Sequence, residues 1–420
     1  MPVLPKDIIY LDNHATTPVA PEVVDVMIPF LRDFWGNPSS AYSFGSQVHA
    51  YVEKARDQVA ALIGADPKEI FFTSCGTESD NSAINSALEV TGKKKIVTTA
   101  VEHSALINQC EKLQKKGIEV VFMPVRPDGT LDFKEVEKAV DEDTAICSVM
   151  WANNETGVIY PVEEIAEFCK LKGVLFHTDA VQAVGKIPIN LKKNKIDMLS
   201  IVGHKLHAPK GVGALYIRRR TRYSPTIIGG QQERGKRGGT ENVASIVGFG
   251  KACELAGQRM DEENTRVKAM RDRLEKAILE KIPDVFVNGD RKHRLPNTVN
   301  FAFDFIEAEA IPLMLDKTGI CASSGSACTT GSLDPSHVLK AMGLTPARAR
   351  GAVRISLSTY NTDRDIDKLI EALPPIIKRL RAMSPLSREH RDNDSYDVAA
   401  ARAKFEEEQV KEAKKELTSA

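Results

Sequence analysis

The chain has 420 residues, with 57 Lys plus Arg set against 57 Asp plus Glu, so its formal net charge is zero, and 42% of its residues are hydrophobic. Such a composition suits a globular protein of two or three domains and offers no basic excess for nucleic acid or an anionic membrane surface. No apolar run is long enough to span a bilayer, residues 1–6 lack a signal-peptide core, and seven cysteines without a C-x-x-C pair point to reduced thiols, so a cytoplasmic protein is expected.

Residues 8–11 predict a short strand leading into a polar loop, 12–18. A helix is expected over 22–34, after Pro21, and a turn-rich loop over 34–40. From Ser46 the apolar positions Val48, Val52, Ala55, Val59, Leu62 and Ile63 recur at helical spacing, and Gly64 stops the helix. Residues 70–73 predict a strand that runs through Ser74–Cys75–Gly76–Thr77 into another helix. Glycine followed by hydroxyl residues at a helix start can hold an anion on free backbone N–H groups. A plain N-cap by Thr77 or Ser74 explains the same letters. Strand-like runs at 96–99, 120–123, 145–150, 175–177 and 198–202 then alternate with helical stretches such as 106–116 and 162–172, and 213–217 adds one more strand. This alternation predicts a mostly parallel sheet with helices on both faces. A long helical region, 241–280, leads to a smaller domain containing 298–303, 311–315 and 353–357. The tail from Leu386 is charge-rich, and its 399–417 stretch predicts a solvated helix or a disordered extension.

Chemistry concentrates where these strands end. The apolar run up to Val202 stops at Gly203, and Lys205 follows between His204 and His207, before Pro209 and Gly211 forbid regular structure. In an open parallel sheet this is the edge where ligands bind. A lysine there can form a Schiff base with an aldehyde cofactor, usually pyridoxal 5′-phosphate; a surface lysine in a turn is the plainer alternative. Asp179 closes the run 175–178, where its carboxylate can pair with a pyridine nitrogen, although a helix cap would use the same residue. Phosphate at Gly76 and Thr77, pyridine at Asp179 and aldehyde at Lys205 use three strand ends, and that agreement is more specific than any one of them. Gly230, Gly235 and Lys236 imitate a P-loop, but Arg237 stands where a magnesium-binding hydroxyl is required. His49 and His293 are assigned to surface or packing. Cys328 lies among small residues, 323–332, and is expected on a mobile, accessible loop as a candidate nucleophile. Cys110, Cys147, Cys169 and Cys253 are expected to be inert buried thiols.

The words LDNHATTP, GNPSS, TSCGTESDN, MWANNETG, FHTDAVQ, GHKLHAPKGVG, ERGKRGGTEN, SSGSACTTGSLDPSHV and VRISLS, with Glu102–His103 among them, stand in one order across residues 11–358. Through them the sequence resembles cysteine desulfurases of the NifS/IscS type, in wording closer to NifS, and the similarity continues to about residue 385. The resemblance implies an α/β aminotransferase-like fold (fold type I), with a mostly parallel large-domain sheet and a smaller α+β domain. The large domain would span 16–260, the small one 1–15 with 261–385 carrying the cysteine loop, and 386–420 would be a charged extension. It further implies Lys205 as the Schiff-base lysine, Asp179 at the pyridine nitrogen, Gln182 at the phenolic oxygen, and His103 stacked on the ring as acid or base. Gly76, Thr77, Gly203 and His204 would surround the phosphate, with Thr240 joining from the other protomer of a homodimer. Asn154, also near the cofactor, and Arg354 would hold the substrate carboxylate. Val202 departs from the pattern, since many relatives offer a hydroxyl there. The implied reaction converts L-cysteine to L-alanine, leaves a persulfide on Cys328, and feeds sulfur to an iron–sulfur scaffold or another acceptor protein. No intrinsic metal is expected, Cys328 being the one candidate for transient iron–sulfur ligation. Nucleic acid and membrane partners are not expected. A selenocysteine lyase or an aminotransferase on the same scaffold, or a catalytically silent sulfur-transfer scaffold protein, are the alternatives.

Overall fold

The computed structural model describes residues 8–324 and 335–384; Cys328 and the charged extension lie outside the described residues. A two-residue strand, β1 (Ile9–Tyr10), precedes the main sheet, which comprises β2 (Ile70–Thr73), β3 (Lys95–Thr99), β4 (Glu119–Met123), β5 (Thr144–Ser148), β6 (Leu175–Asp179), β7 (Met198–Val202) and β8 (Gly213–Ile217). Its spatial order is β2-β8-β7-β6-β5-β3-β4. The strands read as continuous apolar runs because both faces are covered. Alternate residues feed two separate cores: Ile96, Ile146, Met198 and Leu215 enter one, and Val97, Cys147, Leu199 and Tyr216 the other. Pairing is parallel except at β8, which runs antiparallel to both β2 and β7. Two reversals return β2 to the direction of β7, so the C-terminal ends of β2, β6 and β7 share one edge.

The helices associated with this sheet are α1 (Pro21–Arg32), α2 (Ser43–Ile63), α3 (Gly76–Thr91), α4 (Ser104–Gln114), α5 (Phe133–Ala139), α6 (Val162–Leu171) and α7 (Val243–Gln258). Helix α2 begins at Ser43 rather than Ser46, buries Val48, Val52, Ala55, Val59 and Ile63, and ends at Gly64 with a left-handed φ of 62°. The expected 241–280 helix is divided. Arg259 leaves helical geometry at φ −95° and ψ 4°, a single turn α8 (Met260–Glu262) and a π turn (Glu263–Val267) follow, and α9 (Lys268–Lys281) completes the region.

A second sheet forms from β9 (Val285–Asn288), β10 (Thr298–Phe303), β12 (Ser323–Ser324) and β13 (Ala352–Ser356), all antiparallel, while β11 (Ile320–Cys321) pairs in parallel with β1. Around them lie α10 (Ala310–Asp316), α11 (His337–Ala341), α12 (Pro346–Arg350) and α13 (Asp363–Met383). Leu11 joins residues of α9, β10, β13 and α13 in an apolar core of their own. The beginning of the chain therefore belongs to this late sheet, and Asp12 bridges to Ser356. From there the chain crosses to the edge of the main sheet, where the Thr17 hydroxyl donates to the His204 carbonyl at 3.0 Å. Among the described residues no helix is long and apolar enough to cross a membrane.

Candidate active site

Three strand ends build the site. After β7 the chain tightens into a 3-10 turn, Gly203–Lys205, closed by the Leu206 N–H on the Gly203 carbonyl at 2.8 Å. A side chain at 203 would press on Val212, 2.9 Å from a Cβ there, so glycine lets the turn lie flat. The turn carries Lys205 into a cavity of about 330 Å³. Lys205 Nζ donates to the carbonyls of His14 and Ala15, the latter at 2.6 Å, and Gln182 Nε2 donates to the same His14 carbonyl at 3.1 Å. At the end of β6, Asp179 Oδ1 accepts the Val181 N–H at 2.9 Å. Strand β2 leads through Ser74 and Cys75 into α3. The cap is neither Thr77 nor Ser74: Cys75 Sγ accepts the Glu78 N–H at 3.4 Å, and the Ser74 N–H donates to the Glu78 carboxylate at 2.8 Å. The first N–H groups of a helix have no intrahelical acceptor. Gly76 and Thr77 line the cavity at that open turn, and a Cβ on Gly76 would stand 3.2 Å from Val181.

Gly76, Thr77, His103, Asn154, Asp179, Gln182, His204, Lys205 and Arg354 all line this one cavity, and Val202 joins them. Gly203 shapes the turn without lining the cavity, and Thr240 is exposed and does not line the cavity of its own chain. Arg354 comes from β13 in the second sheet. It is buried and forked, with Nη1 donating to the Asn154 carbonyl at 3.0 Å and Nη2 to the Asp12 carboxylate at 2.7 Å. His103 caps α4 by accepting the Ala105 N–H on Nδ1 at 3.1 Å, so a neutral ring carries its proton on Nε2. Cys110, Cys147, Cys169 and Cys253 are all buried.

Several residues at the site escaped the sequence reading. His14 is buried, with its Nδ1 3.1 Å from the Asn154 carbonyl and its Nε2 3.3 Å from Asn297 Oδ1. Burial, then the Arg354 charge, pushes its pKa down to about 3, so the ring is neutral. Burial and Lys205 likewise bring His204 down to about 4. Asp179 is pushed up by burial, against the opposing pull of His103, the Val181 N–H and Lys205. Asp80, on α3, lines the same cavity and is almost wholly buried. Its one available signal was spacing, since it follows Thr77 by one helical turn. Glu102 is fully buried, and burial raises its pKa to about 8 although it accepts the Thr99 hydroxyl at 2.6 Å and the Met150 N–H at 3.0 Å. That last bond corrects a boundary: β5 stops at Ser148 rather than running to 150, because the Met150 N–H turns to a carboxylate instead of a strand.

An α/β sheet with a lysine, a carboxylate and an open helix N-terminus converging on one edge defines a class, and the chain belongs to it: residues 9–369 match the aminotransferase class-V family. Within that family its near relatives are cysteine desulfurases. The cysteine desulfurase of Trichormus azollae is 55% identical over 379 residues, covering 90% of this chain and 95% of its own. The cysteine desulfurase NifS of Azotobacter vinelandii is also 55% identical over 379 residues, covering 90% and 94%. Among solved structures, a NifS-like protein superposes with a TM-score of 0.84 at 39% identity, covering 89% of this chain and all of its own (100%). The NifS-like protein from Rickettsia africae gives 0.80 at 34% identity, with coverage of 89% and 100%. The fold is that of fold type I pyridoxal-phosphate enzymes.

Proposed function

We infer that the chain is a pyridoxal-phosphate-dependent cysteine desulfurase, which takes sulfur from L-cysteine, leaves L-alanine and serves iron–sulfur cluster biogenesis. The observation that carries this reading is the convergence of Lys205, Asp179, the α3 N-terminus and Arg354 on one cavity. Pyridoxal 5′-phosphate fits these residues. The Gly76 turn is an anion cradle that a Cβ would crowd against Val181, and a buried carboxylate and a lysine amine stand beside it. Gly76, Thr77 and His204 would hold its phosphate, Asp179 its ring nitrogen, Gln182 its phenolic oxygen, His103 its ring face and Lys205 its aldehyde carbon. When bound, it supplies an electron sink for the substrate α-carbon.

The remaining work falls to the chain itself. Arg354 orients the substrate carboxylate with its fork, beside Asn154. Lys205 moves a proton at the substrate α-carbon, and His103, fixed through Nδ1, presents Nε2 for a second proton transfer. Cys328 lies outside the described residues and remains the proposed acceptor thiol. Its thiolate takes the substrate sulfur, so that the carbon–sulfur bond breaks and an S–S bond forms. The electron pair left on carbon is protonated to give alanine. Exposure of Thr240, outside the lining of its own cavity, supports service to a neighbouring protomer across a two-fold axis. The same reading places the large domain at 16–260 and the small one at 1–15 with 261–385, supported by the separate core around Leu11. It places the enzyme in the cytoplasm, delivering sulfur to a scaffold or other acceptor protein.

The test is stoichiometric. Cofactor-loaded protein given L-cysteine and a thiol reductant should release alanine and sulfide in equal amounts, and Cys328→Ser should release neither in repeated turnover. Keto-acid formation in place of alanine would mark an aminotransferase instead.

A further inference from the structure

One carboxyl group in the cavity has no task in this chemistry. Asp80 is 2% exposed, lines the cavity together with Asp179, and keeps its Oδ1 without a hydrogen-bond partner among the described residues. Its basic neighbour is His177, whose Nε2 is 3.7 Å from that oxygen. That ring is no counter-charge. Its two nitrogens are shared with the hydroxyls of Ser148 at 2.8 Å and Ser200 at 2.9 Å, and burial holds its pKa down to about 3. The other groups bearing on Asp80 are Asp179 from β6, Glu102 from the turn before α4, Cys75 at the α3 cap and the Ser200 hydroxyl from β7. Lys205 and His103 bear on Asp179. A buried carboxylate surrounded by acids costs too much to ionise, and two carboxyls sharing a site do not both carry charge.

We propose that Asp80 is a positioning residue that remains a neutral carboxylic acid and thereby leaves Asp179 as the charged member of the pair. The proposal rests on the reading of Asp179 as the partner of the cofactor's ring nitrogen. A second ionised carboxylate would raise the proton affinity of Asp179. A protonated Asp179 could no longer hold a proton on that nitrogen electrostatically.

Infrared spectra of the cofactor-loaded protein test it through the carbonyl stretch of a protonated carboxyl. A band should be present at neutral pH in wild type, move on labelling aspartate with a heavy carbon isotope, persist in Asp179→Asn and vanish in Asp80→Asn. Raising the pH should abolish it reversibly in wild type. Absence of a labelled band at neutral pH overturns the proposal. Cofactor affinity supplies a second reading. Asp80→Asn, which keeps a neutral donor, should stay within about twofold of wild type, whereas Asp80→Ala should bind about tenfold more weakly, about 1.4 kcal/mol. A loss of more than about tenfold in Asp80→Asn would mean that charge is needed at this position and would also overturn it. Should Asp80→Asn not fold, the isotope-labelled titration of wild type decides alone. Wild-type protein that bound no cofactor would overturn the reading of the site, while the band would still report the state of Asp80.

Discussion

Arg354 meets two acceptors of different kinds, the Asp12 carboxylate and the Asn154 carbonyl, and both lie where chain segments from different sheets meet. A planar fork gives each acceptor its own nitrogen at a fixed spacing, which a single ammonium does not. Arg354→Lys should therefore raise KM for L-cysteine about 10- to 100-fold, the worth of one charge-assisted hydrogen bond, and leave the cofactor dissociation constant unchanged. An equal loss in both constants would place Arg354 against the cofactor. Buried titratable groups set a pH profile as well. Burial raises Glu102 to about 8 and Glu155 to about 7 from an ordinary 4.5. The stability tied to these two groups is fully present below about 4.5 and is lost as pH rises through their folded values. His14 and His177 are depressed to about 3 from an ordinary 6.5, so theirs is present above 6.5 and lost as pH falls towards 3. Thermal melts should show stability declining on both sides, and Glu102→Gln should flatten the fall between about 4.5 and about 8. An unchanged alkaline slope in that variant would show that Glu102 is already ionised in the fold. Lys205 and Asp179 were legible in the sequence because each lies at, or just past, the end of a short strand-like run. Asp80, Glu102 and His14 were not, because what matters about them is burial against residues distant in the chain, and no local pattern carries that.

At the scale of elements, the glycine-rich 229–240 stretch is anchored in the body of the fold. Glu233 is buried and takes both Nη atoms of Arg56, at 2.7 and 2.9 Å, together with the Phe72 N–H of edge strand β2 at 2.9 Å. The anchor is held in strained backbone, with φ at 46° for Glu233 and 56° for Arg234. Glu233→Ala would strip both buried Nη atoms of Arg56 of their carboxylate, leaving only the Nε pairing with Glu53 at 3.0 Å, and a loss of about 3–5 kcal/mol of stability is expected in denaturant melts. A change below about 1 kcal/mol would mean that water and the existing Glu53 pairing suffice for Arg56. The direction of β8 also lay beyond local reading, since a five-residue apolar run looks the same either way up. The alternation of strands and helices was legible because short continuous apolar runs and the 3.6-residue period are written into neighbouring residues. The break at Arg259 was not, because the apolar pattern continues on both sides of it.

For the molecule as a whole, the described packing ends before the tail begins. The last buried positions of α13 are Ile376 and Ile377, well before residue 385. Protein ending at 385 should keep its melting temperature and its basal alanine production, and a large fall in either would show that the extension docks. The two-fold arrangement is tested by mixing subunits. A heterodimer of Thr240→Val and Lys205→Ala chains has one functional lysine, on the Thr240→Val chain, and cofactor affinity there should recover to the wild-type value if the hydroxyl is borrowed. Persistent weakness after verified exchange would confine Thr240 to its own chain.

The reversed strand β8 has a consequence for how the protein acquires its activity. Strands β2 and β7 never touch; β8 lies between them and comes after both in the chain. The strand that leads into the α3 N-terminus and the strand that leads into the lysine turn are thus held in register by a segment that closes the long loop from β2 on one edge and pairs with β7 on the other, while α3 itself packs against β7. Closing so long a loop is entropically costly before any contact is gained, which makes such pairings slow. A chain still emerging from the ribosome would possess its lysine and its aspartate, but no assembled pocket to hold them against a cofactor. In refolding, recovery of cofactor affinity should follow the slowest phase rather than the return of helix, making cofactor capture a report on the completed sheet.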